Sequence, residues 1–182
     1  TCRVTASGMG AISSAMIAPV GTGDRVVAAS ALFGSCRVIC QTILPRYGVE
    51  TEFVQGSDMD AWKKALSRPA KLVLIESPSN PLLEAVDIAA VAELAHKAGA
   101  KLIVDNVFAT PVLQDGQGRV LAGAILGQSD WIEEFIDPWL RHTGPAPSPF
   151  NAWVVLKGIE TLDLRVRAAC RTAARLADAI AG

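Results

Sequence analysis

Short runs of apolar, often β-branched residues alternate along this chain with longer stretches in which apolar residues recur every three or four positions. The short runs are typical of buried strands, and the longer stretches are typical of helices with one apolar face. Strands are predicted at 25–29, 49–54, 71–75 and 101–105. Helices are predicted at 8–18, 34–47, 58–66 and 87–98, each bounded by Gly, Pro, Ser or Asp.

The remainder of the chain continues this alternation. A strand is predicted at 119–126, a helix at 129–140, and a long helical stretch from Ser148 onward that Gly158 interrupts. Gly48 and Gly99 are predicted to end helices. Alternating strands and helices predict an α/β fold in one domain over residues 1–182, with a mainly parallel sheet flanked by helices.

The composition narrows the class of partner. Seventeen basic and eighteen acidic residues give a formal charge of -1 without runs of like charge, so neither nucleic acid nor a membrane surface is an expected partner. No apolar stretch approaches the roughly 18 residues that cross a bilayer. The chain starts at Thr1 without a methionine or a signal-peptide pattern, which favours a start within a longer protein. We expect a soluble, cytoplasmic protein that binds small molecules.

The cysteine pattern favours reduced thiols over disulfides or metal sites. Cys36 and Cys40 are four residues apart, a spacing that occurs in metal sites as well as on one face of a helix. Because no second pair of Cys or His accompanies them, we predict that both fill the core and that the chain has no metal site.

Residues 5–12, Thr-Ala-Ser-Gly-Met-Gly-Ala-Ile, form a small flexible turn that opens directly into the first predicted helix. The first amides of a helix lack partners within it and attract anions. Ser7 suits the N-cap position, and Gly8 allows the backbone to approach an oxyanion closely. Taken alone, the motif favours a plain helix cap over a phosphate site.

Two polar segments begin where predicted strands end. Glu-Ser-Pro-Ser-Asn-Pro at 76–81 follows one strand and places Asn80 in a proline-rich turn, and Asp105 ends another strand. Open α/β sheets bind ligands at the carboxyl ends of their strands. Taken alone, each residue also fits an ordinary role, with Asn80 bonding its own backbone and Asp105 capping a turn.

Together and in this order, these segments resemble the Cys/Met-metabolism family of pyridoxal-phosphate enzymes, the transsulfuration group of cystathionine synthases, cystathionine lyases and O-acylhomoserine sulfhydrylases. The matching stretches cover nearly the whole chain: TASGMGAI (5–12), SALFGSCR (30–37), ESPSNP (76–81), DNVFATP (105–111), DGQGR (115–119) and SPFNAWVVLKGIETLDLR (148–165). The resemblance implies pyridoxal 5'-phosphate (PLP) as cofactor. It also implies the PLP-dependent transferase fold type I, with an aspartate aminotransferase-like large domain that is incomplete here, without the family's N-terminal segment and C-terminal domain.

The resemblance also implies a role for each site residue. Ser7, Gly8 and Met9 form the phosphate site, in which the backbone amides of Gly8 and Met9 hold the phosphate. Phe33 stacks on the pyridine ring, and Asn80 hydrogen-bonds the ring hydroxyl. Asp105 pairs with the protonated ring nitrogen, and a carboxylate there keeps the ring positively charged and able to withdraw electrons from a substrate carbanion.

Within the family, the chain is most similar to the sulfhydrylases. Many lyases and synthases of the family carry a tyrosine where this chain has Phe33, and residues 140–162 look most like the sulfhydrylases that use O-succinylhomoserine. This similarity implies a transferase of methionine biosynthesis that replaces the succinyl group with sulfide to give homocysteine, in a homotetramer. Cystathionine γ-synthase or γ-lyase activity is the alternative within the family.

At Gln114-Asp115 the chain departs from the family, which there carries a strand and a Ser-x-Thr-Lys segment whose lysine forms the Schiff base. None of the chain's six lysines has that context, so no catalytic residue is assigned. Either a segment has been omitted, or the protein is a catalytically dead scaffold. Omission is favoured, because deleting a central strand exposes apolar area and unpaired backbone groups.

A nucleotide-binding oxidoreductase is disfavoured. Gly116 and Gly118 precede a predicted strand, whereas the dinucleotide-binding fingerprint follows a strand and opens a helix. The glycine pattern therefore does not support a nicotinamide or flavin site.

Overall fold

A computed structural model describes residues 1–109 and 120–181. Six strands are described in these ranges: β1 (Cys2–Thr5), β2 (Arg25–Ala29), β3 (Glu50–Val54), β4 (Leu72–Glu76), β5 (Lys101–Asp105) and β6 (Gly123–Leu126). The α-helices are α1 (Gly8–Ile17), α2 (Gly34–Val38), α3 (Met59–Ala65), α4 (Ile88–Lys97), α5 (Ser129–Trp131), α6 (Asp137–Thr143), α7 (Pro149–Ile159) and α8 (Leu162–Ala181). Wider and tighter helical turns at Ile39–Ile43, Leu44–Tyr47 and Ile132–Ile136 extend α2 and join α5 to α6.

Four strands form a parallel sheet in the order β3-β2-β4-β5. All five residues of β2 and all five of β4 are buried, as expected for strands with helices on both faces. The predicted α/β class with a mainly parallel sheet is confirmed, and the four predicted strand positions agree with β2 to β5 to within one residue.

The helices begin and end where capping residues are available. Ser7 and Asp87 accept hydrogen bonds from amides in the first turns of α1 and α4. Gly48 and Gly99 adopt φ angles of 72° and 76°, in the left-handed region, just after helices end. The predicted stops at these two glycines are therefore confirmed.

The main core lies between the parallel sheet and its helices. Trp62 is fully buried, and its indole N–H donates to the Gly56 carbonyl at 3.0 Å. Cys36 and Cys40 are 2% and 0% exposed, so the prediction that both fill the core is confirmed. Within the described residues, no group of three or more His, Cys, Asp or Glu side chains is arranged to hold a metal.

A second, two-stranded sheet pairs β1 with β6 in antiparallel fashion. The sequence pattern did not predict β1. Of the strand predicted at 119–126, only Gly123–Leu126 forms a strand, residues 120–122 are irregular, and residue 119 lies outside the described ranges. Arg3 on β1 forms a bidentate ion pair with Asp137 on α6, with its closest N–O distance at 2.5 Å. This pair joins the small sheet to the helices that follow it.

The helical stretch after Ser148 is interrupted, but two residues later than predicted. Gly158 lies inside α7, and α8 begins after Glu160 and Thr161. The Arg165 guanidinium donates to the Gly158 carbonyl at 2.8 Å, and this hydrogen bond links α8 to α7 across the interruption. Among the helices of the described ranges, none combines the length and the apolar character that crossing a membrane requires.

Candidate active site

The candidate site lies at the carboxyl edge of the parallel sheet. Because β4 and β5 are parallel and in register, Glu76 and Asp105 lie side by side as the last residues of their strands. The loop between β2 and α2, which carries Phe33, reaches the same edge, since the Phe33 amide donates to the Glu76 carboxylate at 2.6 Å. Three chain segments that are distant in sequence therefore meet here.

The start of α1 has the form of an anion site. Ser7 Oγ accepts a hydrogen bond from the Gly10 amide at 3.0 Å, so the hydroxyl caps the helix. The amides of Gly8 and Met9 donate to no acceptor within residues 1–109 and 120–181. A Cβ atom added at Gly8 would meet nothing within 4 Å, so space for an anion is open beside this backbone.

Asp105 is half-buried and held in place by two contacts. Its Oδ1 accepts from the Val107 amide at 3.1 Å, and its Oδ2 lies 3.7 Å from the Cys36 Sγ. Burial, together with the nearby charges of Asp105 and Glu76, raises the pKa of Cys36 to about 12. The thiol therefore stays protonated at neutral pH and donates to the carboxylate.

Glu76 is a buried carboxylate, 3% exposed, that accepts a hydrogen bond from the Phe33 amide and lies near the Asn80 amide. Burial raises the pKa of Glu76, the two amide donors lower it, and the neighbouring charge of Asp105 raises it further. The net shift is upward, because the two amides offset only part of the loss of water.

One cavity extends from the start of α1 to the carboxyl end of β5. It has a volume of about 630 Å³, and Gly8, Asp105 and Val107 are among its lining residues. Phe33, which is 41% exposed, and the partly exposed Asn80 are not among the residues that line it. They are linked to the site through Glu76, which accepts a hydrogen bond from the Phe33 amide and lies near the Asn80 amide.

The same cavity lies between two strands that do not pair with each other. Every residue of β5 lines it on one side, and three residues of β6, namely Ala124, Ile125 and Leu126, line it on the other. Within the described ranges, β5 pairs with β4 only and β6 pairs with β1 only. Ile103 on β5 packs against the main core and also against the smaller cluster beneath β6. The cavity is therefore a slot between the edges of two sheets.

These features fit the chemistry of PLP. A phosphate needs unpaired amides with open space in front of them, which the start of α1 provides. A protonated pyridine nitrogen needs a fixed carboxylate, which Asp105 provides at the end of β5. Gly8 and Asp105 line the same cavity, as a ligand that contacts both of them requires.

No lysine of the chain lies at the end of a strand in this site. Lys71 directly precedes β4 and Lys101 begins β5, whereas the site lies where those strands end. Lys63, Lys97 and Lys157 form ion pairs with carboxylates on their own helices or at their ends. The sixth, Lys64, is an exposed residue in the last turn of α3. The predicted omission between Gln114 and Asp115 lies outside the described residues.

Sequence reasoning did not find the roles of Glu76 and Cys36. The signal for Glu76 was present, because a carboxylate directly follows the apolar run 71–75 in the same way as Asp105 follows 101–104. For Cys36 no signal was available, since only the fold brings residue 36 next to residue 105.

Comparison with known proteins identifies the family of this chain. The model of the family described as "Cys/Met metabolism PLP-dependent enzyme" matches residues 1–116 and 114–181. The chain belongs to this family. The family membership predicted from the sequence is confirmed, and PLP is the cofactor of the family.

Two O-succinylhomoserine sulfhydrylases are among the most similar relatives. The protein from Mycobacterium tuberculosis is 53% identical over 196 residues, covering 98% of this chain and 48% of its own length. The protein from Pseudomonas aeruginosa is 41% identical over 192 residues, covering 96% of this chain and 47% of its own length. The chain thus spans about half the length of the curated relatives it matches.

A solved structure shows the same fold. The cystathionine gamma-lyase from Lactobacillus plantarum, complexed with L-serine, superposes with a TM-score of 0.92 at 25% sequence identity. The match covers 100% of this chain and 52% of that one. The chain therefore has the fold of about half of that cystathionine gamma-lyase.

Proposed function

We propose that this chain is part of a PLP-dependent enzyme that replaces the succinyl group of O-succinylhomoserine with sulfide to give homocysteine. The observation that carries the proposal is the single cavity lined by both Gly8 and Asp105. Identities of 53% and 41% to two O-succinylhomoserine sulfhydrylases support the choice of substrate. The family resemblance supports a cytoplasmic homotetramer, with sulfide as the second substrate.

In this proposal each site residue has one task. The amides of Gly8 and Met9 bind the cofactor phosphate, and Ser7 orders them by capping α1. Asp105 holds the proton on the ring nitrogen, Phe33 covers one face of the ring, and Asn80 donates to the ring hydroxyl. When bound, the cofactor supplies an electron-withdrawing ring that stabilises negative charge on the substrate.

We also propose that residues 1–182 form an incomplete PLP-binding large domain, and that a segment carrying a strand and the cofactor-bonding lysine belongs between Gln114 and Asp115. Two features of the comparisons support this. The family match breaks in two at residues 114–116. The alignment to the M. tuberculosis protein has 196 positions, whereas 98% of a 182-residue chain is about 178 residues, so about 18 positions lie opposite gaps.

The slot between β5 and β6 supports the same segment. A strand that runs along β5 and β6 pairs with both and joins the two sheets into one, and it occupies that part of the cavity, whereas the cofactor is proposed to lie at the end beside Gly8 and Asp105. Removal of a central strand leaves its two neighbours with unpaired edges, and within the described residues β5 and β6 each have such an edge.

Tryptic mapping of the protein isolated from its source tests the segment. Trypsin cleaves after Lys101 and Arg119, so a continuous chain yields the peptide 102–119 with Gln114 followed directly by Asp115. We expect peptides that place additional residues, including a lysine, at this junction. Recovery of 102–119 as one uninterrupted peptide contradicts the proposal of an omitted segment.

A catalytically dead scaffold is the second candidate, and the lack of a lysine at the site favours it for the chain of 182 residues. Homocysteine formation from O-succinylhomoserine and from O-acetylhomoserine, each with sulfide, separates the candidates. We expect turnover of the succinyl ester by protein that carries the lysine segment. Turnover of cystathionine alone refutes the sulfhydrylase assignment, and no turnover with any substrate favours the scaffold.

A further inference from the structure

Glu76 is a buried charge in a position where the core does not require one. The other four residues of β4 are Leu72, Val73, Leu74 and Ile75, each no more than 1% exposed, whereas Glu76 is 3% exposed and has no basic partner within the described residues. Burying a carboxylate without a cation is costly unless hydrogen bonds compensate for the lost water. A leucine at this position would avoid that cost, so the carboxylate must be explained by what it binds.

The groups that surround it belong to two different loops. The Phe33 amide, just before α2, donates to Glu76 Oε2 at 2.6 Å, and the backbone amide of Asn80, in the loop after β4, lies close enough to the same carboxylate to lower its pKa. Phe33 and Asn80 are the residues proposed to contact the face and the hydroxyl of the cofactor ring. One side chain therefore sets the spacing between two loops that carry ring contacts.

Asp105 completes this arrangement. It pairs in register with Glu76 on the neighbouring strand, so the proposed contact to the ring nitrogen is fixed in the same sheet as the residue that holds both loops. The close approach of two carboxylates adds to the cost of keeping Glu76 charged, and the charge of Asp105 helps to raise the pKa of Glu76. A carboxylate kept at this cost is more consistent with a positioning role than with a packing role.

We infer that Glu76 is a positioning residue that holds Phe33 for its contact with the face of the cofactor ring and Asn80 for its contact with the ring hydroxyl, without touching the cofactor. This inference rests on the proposed function for the identity of the ring. The contacts of Glu76 with the two amides are a property of the chain alone, so the bracing of the two loops is testable without cofactor.

The test compares the variant Glu76→Leu with Glu93→Leu, in which an exposed helix residue receives the same side chain. Two quantities are measured: hydrogen–deuterium exchange at the amides of Phe33 and Asn80 without cofactor, and the dissociation constant for PLP. Hydrogen bonds to a charged acceptor protect strongly, so we expect Glu76→Leu to speed exchange at both amides about tenfold or more. We expect its PLP affinity to fall about tenfold, measured at a temperature where circular dichroism shows that the variant is folded.

The outcomes distinguish a role of Glu76 in holding the two loops from a role in core packing alone. Wild-type exchange and wild-type PLP affinity in a folded Glu76→Leu variant overturn the inference. If the leucine variant does not fold, Glu76→Met, with an unbranched side chain, replaces it and is judged by the same two readouts. If wild-type protein that carries the lysine segment binds no PLP, the proposed function fails. The exchange rates still decide whether Glu76 holds the two loops.

Discussion

Gly123 is the position where the smallest change should disturb the candidate phosphate site most. It begins β6 and lies against the turn that starts α1. A Cβ atom added at Gly123 would lie 2.3 Å from the Ser7 carbonyl oxygen, 2.5 Å from the Thr5 Oγ1 and 2.7 Å from the Ser7 carbonyl carbon. Two of these three atoms belong to the backbone, so a change of side-chain rotamer does not relieve the contact.

The variant Gly123→Ala therefore has to move the two segments apart by about 1 Å to restore van der Waals contact. Forcing an extra carbon into a packed site costs about 1–3 kcal/mol. For a chain of this size, that cost corresponds to a melting temperature lowered by about 2–12 °C. Because Ser7 caps α1, the same movement displaces the amides of Gly8 and Met9, and we expect weaker binding of PLP.

Thermal unfolding followed by circular dichroism, together with a PLP titration, measures both effects. The matched control is Gly21→Ala, where an added Cβ meets nothing within 4 Å. We expect the control to unfold within a degree or two of wild type and to bind PLP unchanged. A Gly123→Ala variant that matches the control in both measurements would refute the reasoning, because it would mean that β6 does not set the position of Ser7.

Three further predictions concern the rest of the molecule. Iodoacetamide at pH 8 should modify the exposed Cys2 quickly and Cys36 only after unfolding, because the Cys36 thiol is buried and its pKa is raised to about 12. Peptide mass spectra measure the two rates of modification, and equal rates would contradict this prediction. Replacing Asp137 by Asn removes the ion pair to β1. That pair lowers the pKa of Asp137 below 3.8, so wild type should melt higher than the variant at pH 5–7, and the difference should shrink as pH falls through the lowered pKa. A pH-independent difference would show that the ion pair is not its source. Trp62→Phe should cost about 1–3 kcal/mol in urea unfolding, since it leaves the Gly56 carbonyl unpaired, and an unchanged midpoint would argue against that hydrogen bond.

The parallel sheet was predictable because its strands are buried on both faces. Runs such as 71–75 are apolar at nearly every position, a pattern that few other structures produce. β1 was not predictable in this way, because Cys2 and Val4 are exposed at the edge of a two-stranded sheet and Arg3 is only partly covered. Its stability depends on pairing with a strand more than 100 residues away, which no local pattern reveals.

The candidate site was predictable in part, because its polar residues stand out next to buried apolar strands. Asp105 and Asn80 stood out because polar residues follow apolar strands, and the helix start at Ser7 stood out from its small residues. The hydrogen bond from the Phe33 amide to Glu76 spans 43 positions along the chain, and so it depends on the order of strands in the sheet. The family resemblance supplied the role of Phe33, which its 41% exposure alone does not suggest.

A crystal structure of the protein grown with PLP tests the central claim most directly. The account predicts the phosphate against the amides of Gly8 and Met9, with the ring nitrogen about 2.7–2.9 Å from the Asp105 carboxylate. Density for the cofactor at any other place, or a ring nitrogen turned away from Asp105, would contradict the account.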